Sequence, residues 1–149
     1  MRAHSAVHVL TGAVTRVLGP RRFSVAQTAQ GQGRGQVVLK VVCEGQLSPE
    51  QISKIEKAAN NEISEDAEIL EFEMDRQEAE GHFGRGIYDL NQAPGVGGRL
   101  LHIVRIPDWE VSCCSWTHLS STGPIGAIHI GRATFNKDSN EVELSFDVG

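Results

Sequence analysis

The sequence has few of the residues that typify secreted or membrane proteins. Only three of its 149 residues are cysteines, and Cys43 lies far from the other two, so we do not expect a framework of disulfide bonds. No apolar run is long enough to cross a bilayer. His4, His8 and Arg16 interrupt the moderately apolar start of the chain, so a cleavable signal peptide is not expected. These absences predict a cytoplasmic protein that does not bind membranes.

Patterns typical of nucleotide-binding and repeat proteins are also missing. Residues 31–35 are rich in glycine, but no Gly-Lys-Ser or Gly-Lys-Thr follows them, so they do not form a phosphate-binding loop. There is no internal repeat and no low-complexity segment. With 40% hydrophobic and 22% charged residues, the composition is ordinary for a globular protein, and residues 1–149 are expected to form a single domain.

Acidic residues are absent from the first 40 positions, although the whole chain has a net charge of −5. This segment carries a charge of +6 and the remainder carries −11. Such asymmetry can produce a basic face that binds RNA weakly and in a salt-sensitive manner, although a chance gradient of solvated side chains would give the same count. The basic residues of the segment are Arg2, Arg16, Arg21, Arg22, Arg34 and Lys40.

Apolar periodicity and end signals predict three helices. The first spans residues 3–18 and ends at Gly19. The second begins after the capping residue Ser48 and runs to about residue 63. The third is a short helix over 77–83.

Alternating and apolar runs predict strands between and after these helices. They cover 23–29, 37–42, 69–74, 100–106, 127–135 and 142–148. The order of elements predicts an α+β fold, in which helices pack on a mixed or antiparallel sheet. Residues 84–98 predict a long loop, and loops of this length are usually functional or mobile.

Two pairs of possible metal ligands, each with a four-residue spacing, lie at opposite ends of the chain. His4 and His8 are in the first predicted helix, where such residues share one face, and Cys114 and His118 repeat the spacing. Imidazole nitrogen and thiolate sulfur are ligands that zinc prefers. Either pair alone could arise by chance among six histidines, but together they predict one shared zinc ion. Cys113 lacks the spacing and is interpreted as a small buried hydrophobe.

The segment after His118 strengthens this interpretation. It places the hydroxyl of Thr122 before Gly123, Ile125 and Gly126. Glycine allows the backbone to pass close to a metal or ligand, and threonine can position a substrate. The alternative is an ordinary tight turn that leads into a strand.

Together, these motifs resemble those of the editing domain of alanyl-tRNA synthetase, and more closely its free-standing relatives, the AlaX proteins. Threonyl-tRNA synthetases carry a related domain, but Thr117 and the Thr-Gly-x-Ile-Gly pattern favour the alanine type. Ser115 and Trp116 stand where two glycines are usual, which leaves the ligands unchanged but alters the adjoining pocket. The resemblance covers nearly the whole chain and rests on HSAVH at 4–8, YDL at 88–90, DW at 108–109 and CCSWTHLSSTGPIG at 113–126.

The resemblance implies a zinc-binding tRNA editing domain with one Zn²⁺ per chain. Its activity would be hydrolysis of the ester that joins a wrong amino acid, serine or glycine, to alanine tRNA. The implied partner is therefore mischarged alanine tRNA. Water is the expected nucleophile, because no Ser-His-Asp arrangement is recognisable. The chain has no room for an aminoacylation domain, so we expect action in trans without ATP.

Hydroxyl groups that would favour serine in an editing pocket are the candidate substrate contacts. Thr122 is the first choice and the candidate catalytic residue, while Ser24 and Thr28 on the first strand are weaker choices. Asp89 lies in the loop that the resemblance places near the substrate entrance, and Gly123 adjoins the candidate threonine.

Two other functions are compatible with the same motifs. One is a zinc-stabilised RNA-binding module without catalysis, because ligand spacing does not distinguish structural from catalytic zinc. The other is an editing domain of threonyl type, or one that removes D-amino acids, with a different amino-acid specificity.

Overall fold

The computed structural model describes residues 2–20, 22–29, 35–88, 99–115 and 117–149, and it describes only the backbone of residues 26–29, 35 and 36. Most elements in these ranges agree closely with the sequence-based expectations. The helices are α1 Arg2–Leu18, α2 Pro49–Ser64 and α3 Arg76–Phe83, with 3-10 helices at Arg85–Ile87 and Gly123–Ile125. The strands are β1 Phe23–Ala29, β2 Gly35–Val42, β3 Leu70–Asp75, β4 Leu100–Ile106, β5 Glu110–Cys113, β6 Ile128–Asn136 and β7 Glu141–Val148.

The strands form two antiparallel sheets, with the orders β1-β2-β7-β6 and β3-β4-β5. The predicted α+β fold is confirmed, although the strands divide between two sheets. In the larger sheet β2 pairs with β7, so that Leu39 lies opposite Leu144. This pairing joins the hairpins from the two ends of the chain.

Local signals account for the ends of the two long helices. Gly19 has a φ of +86° and its N–H donates to the carbonyl of Thr15 at 2.9 Å, which closes α1. At the start of α2 the Ser48 hydroxyl accepts from the Gln51 N–H at 3.1 Å, and the Gln51 side chain accepts from the Ser48 N–H at 2.9 Å. The predicted capping box is therefore confirmed.

Strand β5 is an element that the sequence did not predict. Trp109, in the turn before it, donates its indole N–H to the carbonyl of Val9 at 2.9 Å. The Arg16 guanidinium lies 3.9 Å from the centroid of the indole ring. These contacts hold the start of β5 against α1, because both partners of Trp109 belong to that helix.

Strand β4 contributes to hydrophobic clusters on both faces of the smaller sheet. Val104 and Ile106 belong to the main core, which also includes residues of α1, α2, β2 and β7. Leu101 and Ile103 belong to a smaller cluster with Ala79 of α3. The sheet therefore carries apolar side chains on two sides, and one side of it faces α1.

The predicted loop 84–98 is only partly within the described residues, since 89–98 lie outside them. At its start the Tyr88 hydroxyl donates to the Glu80 carboxylate at 2.8 Å, which ties the segment to α3. Among the helices of the described ranges, none is both long enough and apolar enough to cross a membrane.

Candidate metal centre

Three of the four predicted ligands come together beside α1. His8 lies on that helix, Cys114 follows β5 directly, and His118 lies four residues further on. One potential ligand atom from each residue lies within 4.8 Å of the other two. His8 and His118 are 5% and 6% exposed, whereas Cys114 is half-buried. The group is therefore enclosed on the histidine side.

The distances within this group suit a small tetrahedral ion. Cys114 Sγ lies 3.6 Å from His118 Nε2, and the two histidine Nε2 atoms are 2.8 Å apart. Zinc with bonds of about 2.0 Å to nitrogen and 2.3 Å to sulfur separates its ligand atoms by about 3.3 to 3.6 Å. The sulfur and nitrogen already have that spacing, and the two nitrogens would have to part by about 0.5 Å. Two imidazoles and a thiolate are also a donor set that favours zinc.

Each histidine turns its other ring nitrogen towards a carboxylate. His8 Nδ1 lies 2.8 Å from Glu110 Oε2 and 3.0 Å from the Ser112 hydroxyl. His118 Nδ1 lies 3.3 Å from Glu71 Oε1, which also accepts from His102 at 3.2 Å. The two Nδ1 atoms therefore point outwards, while the two Nε2 atoms point into the group.

The electrostatics of the group favour a positive charge at its centre. Burial lowers the pKa of His8, but the negative charge of Glu110, reinforced by hydrogen bonds of the imidazole to Cys114 and Glu110, raises it to about 10. Burial acts against ionisation of Glu71, yet its bonds to His102 and His118 lower its pKa overall. Two carboxylates and a thiol thus surround two imidazoles, and this arrangement favours a cation between the rings.

His4, the fourth predicted ligand, lies one turn before His8 on α1 and is half-buried. It is outside the group of three. Burial lowers the pKa of His4, and nearby positive charge, including that of His8 and His118, lowers it further. His4 is thus close enough to His8 and His118 for their charge to affect its ionisation.

The four-residue spacing of Cys114 and His118 has a different structural basis from that of the N-terminal pair. The described residues between them are not helical. The Cys114 N–H donates to the carbonyl of His102 at 3.0 Å, and the Leu119 N–H donates to the Ser5 hydroxyl at 2.9 Å. Strand β4, which carries His102, and the first turns of α1 therefore hold this segment in place.

The adjacent cysteines belong to different clusters. Cys114 packs against the main core, and Cys113 packs against the small cluster on the other side of the sheet. The alternation of an extended chain thus directs only one of the two thiols towards the histidines.

Thr122, the candidate catalytic residue, is fully buried. Its hydroxyl donates to the carbonyl of Glu62 at 2.9 Å and accepts from the Ala67 N–H at 2.8 Å. The N–H of Gly123, the neighbouring candidate, donates to Asp66 Oδ1 at 2.8 Å. Both residues therefore join the segment after His118 to the end of α2, and the hydroxyl has its donor and one acceptor position occupied by backbone.

The remaining candidates for substrate contact are not brought to the histidine group by any described hydrogen bond. Ser24 is buried on β1, in the larger sheet. The side chain of Thr28 and the whole of Asp89 lie outside the described residues. Their predicted roles stay predictions.

Glu71, Glu110 and Ser112 were missed as site residues by sequence reasoning. The alternation of β3 correctly predicted an exposed face for Glu71, and this suggested solvation alone. Glu110 and Ser112 precede Cys114 at intervals of two, so all three share one side of an extended segment. That spacing was the available signal, but it has meaning only once β5 is known.

The fold is α+β, and two buried histidines and a cysteine lie close enough together to hold a metal ion. These features are typical of metal-binding proteins. No protein-family model matches it. The chain is 36% identical over 142 residues to the alanine–tRNA ligase of Pyrococcus abyssi, and 36% identical over 129 residues to that of Methanopyrus kandleri. These matches cover 95% and 87% of this chain, but 15% and 13% of the ligases.

The chain is thus similar along most of its length to a segment of the alanine–tRNA ligases, which confirms the relationship to these enzymes that the motifs predicted. It spans about one seventh of the length of these relatives. The relationship concerns that segment alone.

Proposed function

We propose that this chain is a zinc-dependent deacylase that hydrolyses the ester between a wrong amino acid, serine or glycine, and alanine tRNA. The observation that carries the proposal is the convergence of His8, Cys114 and His118 in a chain related to alanine–tRNA ligases. His4 is the proposed fourth ligand, because it lies one helical turn from His8 and interacts electrostatically with the group.

The chemistry divides between the ion and the residues of the chain. Zinc held by these ligands would act as a Lewis acid on a carbonyl and lower the pKa of water towards neutrality. The two imidazoles and the thiolate would hold the ion in place, and the buried side of the group, formed by His8 and His118, excludes solvent. The half-buried side at Cys114 is where an ester would approach.

An editing activity meets a physical need of alanine tRNA charging. A site that accepts alanine rejects glycine poorly, since one methyl group contributes only about 1–3 kcal/mol of discrimination. A pocket that only packs against alanine also rejects the hydroxyl of serine weakly. A second, hydrolytic site removes both kinds of error after the ester has formed.

A purely structural zinc ion is the competing proposal. The burial of both histidines favours it, because a closed four-ligand site has no room for substrate. Under that proposal the chain would bind RNA and zinc but release no amino acid.

The test compares bound zinc and serine release in one preparation. We expect about one zinc per chain, and faster release of serine from mischarged alanine tRNA than of alanine from correctly charged tRNA. Cys114→Ser should lose zinc and hydrolysis together, while the control Cys113→Ser, at the neighbouring thiol, should keep both. Zinc binding without hydrolysis would support the structural alternative, and hydrolysis by zinc-free Cys114→Ser would remove zinc from the mechanism.

The predicted basic face contributes only part of its charge to a docking surface. Arg2 donates to the carbonyl of Ile125 at 2.9 Å, and Arg16 binds carbonyls of the turn before β5. Arg22 is exposed, Lys40 is half-buried, and Arg21 and Arg34 lie outside the described residues. Two of the six basic side chains thus have roles within the fold.

Exposed Arg22 is therefore the variant of choice for tRNA docking. If it contacts phosphate, Arg22→Ala should weaken binding at low salt and reduce the salt slope by about 0.7–0.9. Lys57→Ala, at an exposed position of α2, is the matched control. An equal slope for both variants would place the docking surface elsewhere.

A further inference from the structure

The two histidines of the metal group share an orientation. Each directs Nδ1 to a carboxylate and Nε2 to the centre of the group. A neutral imidazole has one N–H, and a carboxylate can only accept, so the carboxylate retains the proton on Nδ1. A metal ion that displaces the proton shared by the two Nε2 atoms, which lie 2.8 Å apart, would then bind the Nε2 lone pair of each ring.

We propose that Glu110 and Glu71 are positioning residues that fix the tautomers of His8 and His118 for metal binding, and that Glu110 has the larger effect. This inference rests on the zinc site proposed above. Neither carboxylate is a ligand in the proposal. Each acts through the histidine that it holds.

The inequality follows from the surroundings of the two carboxylates. The Glu110 side chain is 6% exposed and lies 2.8 Å from its histidine. The Glu71 side chain is 33% exposed, lies 3.3 Å from His118 and is shared with His102. Burial strengthens a charged hydrogen bond, whereas solvent and a second partner weaken it, so Glu110 exerts the stronger control.

The backbone of β5 supplies Glu110 together with a hydroxyl and a ligand. Residues 110, 112 and 114 alternate to one side, and the first two reach the same nitrogen of His8. The third supplies a thiol whose Sγ lies within 4.8 Å of a ring nitrogen of His8. One short extended segment therefore orients the histidine from outside and completes the metal group from inside.

The test measures zinc affinity by competition with a chelator at pH 7.5. Glu110→Gln keeps the shape and one acceptor oxygen but loses the charge, and we expect about 10–100-fold weaker binding. Glu71→Gln should give a smaller loss. Glu73→Gln, at another exposed glutamate two residues along β3, is the control and should bind zinc like the wild type.

A spectroscopic measurement separates positioning from general destabilisation. Long-range ¹H–¹⁵N correlation spectra of the zinc-loaded protein should show His8 protonated on Nδ1 alone, and Glu110→Gln should broaden or mix this signature while the fold is retained. Cobalt substitution should likewise change the visible spectrum of Glu110→Gln and leave that of Glu73→Gln unaltered.

The outcomes distinguish this inference from the function on which it rests. A wild-type protein without zinc affinity would overturn both. If the wild type binds zinc and both Glu110→Gln and Glu71→Gln bind it with the wild-type affinity, the positioning role alone is overturned. Equal losses of affinity in the two variants would overturn the larger effect of Glu110. If Glu110→Gln fails to fold, Glu71→Gln decides the matter, and wild-type affinity in that variant would refute the inference.

Discussion

Replacing Thr122 with valine tests whether its hydroxyl serves the fold. Valine has nearly the same shape, so the change removes the hydroxyl while leaving little cavity. The carbonyl of Glu62 would lose a donor and the N–H of Ala67 would lose an acceptor. The second hydrogen bond of this contact, from the Thr122 N–H to the Ala67 carbonyl at 2.8 Å, would remain.

The magnitude follows from the burial of the two orphaned groups. An unsatisfied buried polar group costs about 1–3 kcal/mol. The bond to Glu62 is buried, whereas the bond to Ala67 is only partly buried and allows some access of water. We therefore expect Thr122→Val to lower the free energy of unfolding by about 2–4 kcal/mol, a large part of the 5–15 kcal/mol typical of a domain.

Urea denaturation in the presence of a chelator measures this loss without a contribution from bound metal. Thr122→Ser keeps the hydroxyl and should lose less, and Thr117→Val, at an exposed threonine, should lose almost nothing. A loss below about 0.5 kcal/mol for Thr122→Val, within the range of ordinary surface changes, would refute the structural role. If that stable variant also kept zinc but lost hydrolysis, the catalytic role expected from the sequence would gain support.

Two further predictions concern a close approach and an ionisation. Gly12→Ala would place a methyl group closer to the Trp109 indole than van der Waals contact allows, so it should lower the free energy of unfolding in urea. Gly81→Ala, in open space on α3, should raise the free energy of unfolding by about 0.5–1 kcal/mol. The opposite ranking would contradict the packing of β5 on α1. Burial and the hydrogen bond to Glu80 raise the pKa of Tyr88, the only tyrosine, so its phenolate absorbance should appear at higher pH than in a free tyrosine. Glu80→Gln should move the midpoint of this titration to lower pH. An unmoved midpoint would argue against that hydrogen bond.

Elements with local signals were predicted with bounds accurate to about two residues. The ends of α1 and α2 depend on Gly19 and Ser48, whose effects reach only a few positions along the chain. The strands of the closing hairpin follow from alternation in the same way. Strand β5 has only four residues, too few for a periodic pattern, and it forms because β4 and α1 offer it partners.

The residues of the candidate site also fall into two groups, those that the sequence predicted and those that only the tertiary structure showed. Sequence motifs were enough to group His4, His8, Cys114 and His118 as candidate ligands, three of which the structure brings together, and to indicate the relationship to alanine–tRNA ligases, because ligand type and spacing are properties of the chain itself. Tertiary structure alone showed that Glu110 and Glu71 hold the histidines and that the Thr122 hydroxyl bonds to backbone. Those contacts join residues 47 to 102 positions apart, and only packing of the helices on the sheets determines which side chains meet over such separations.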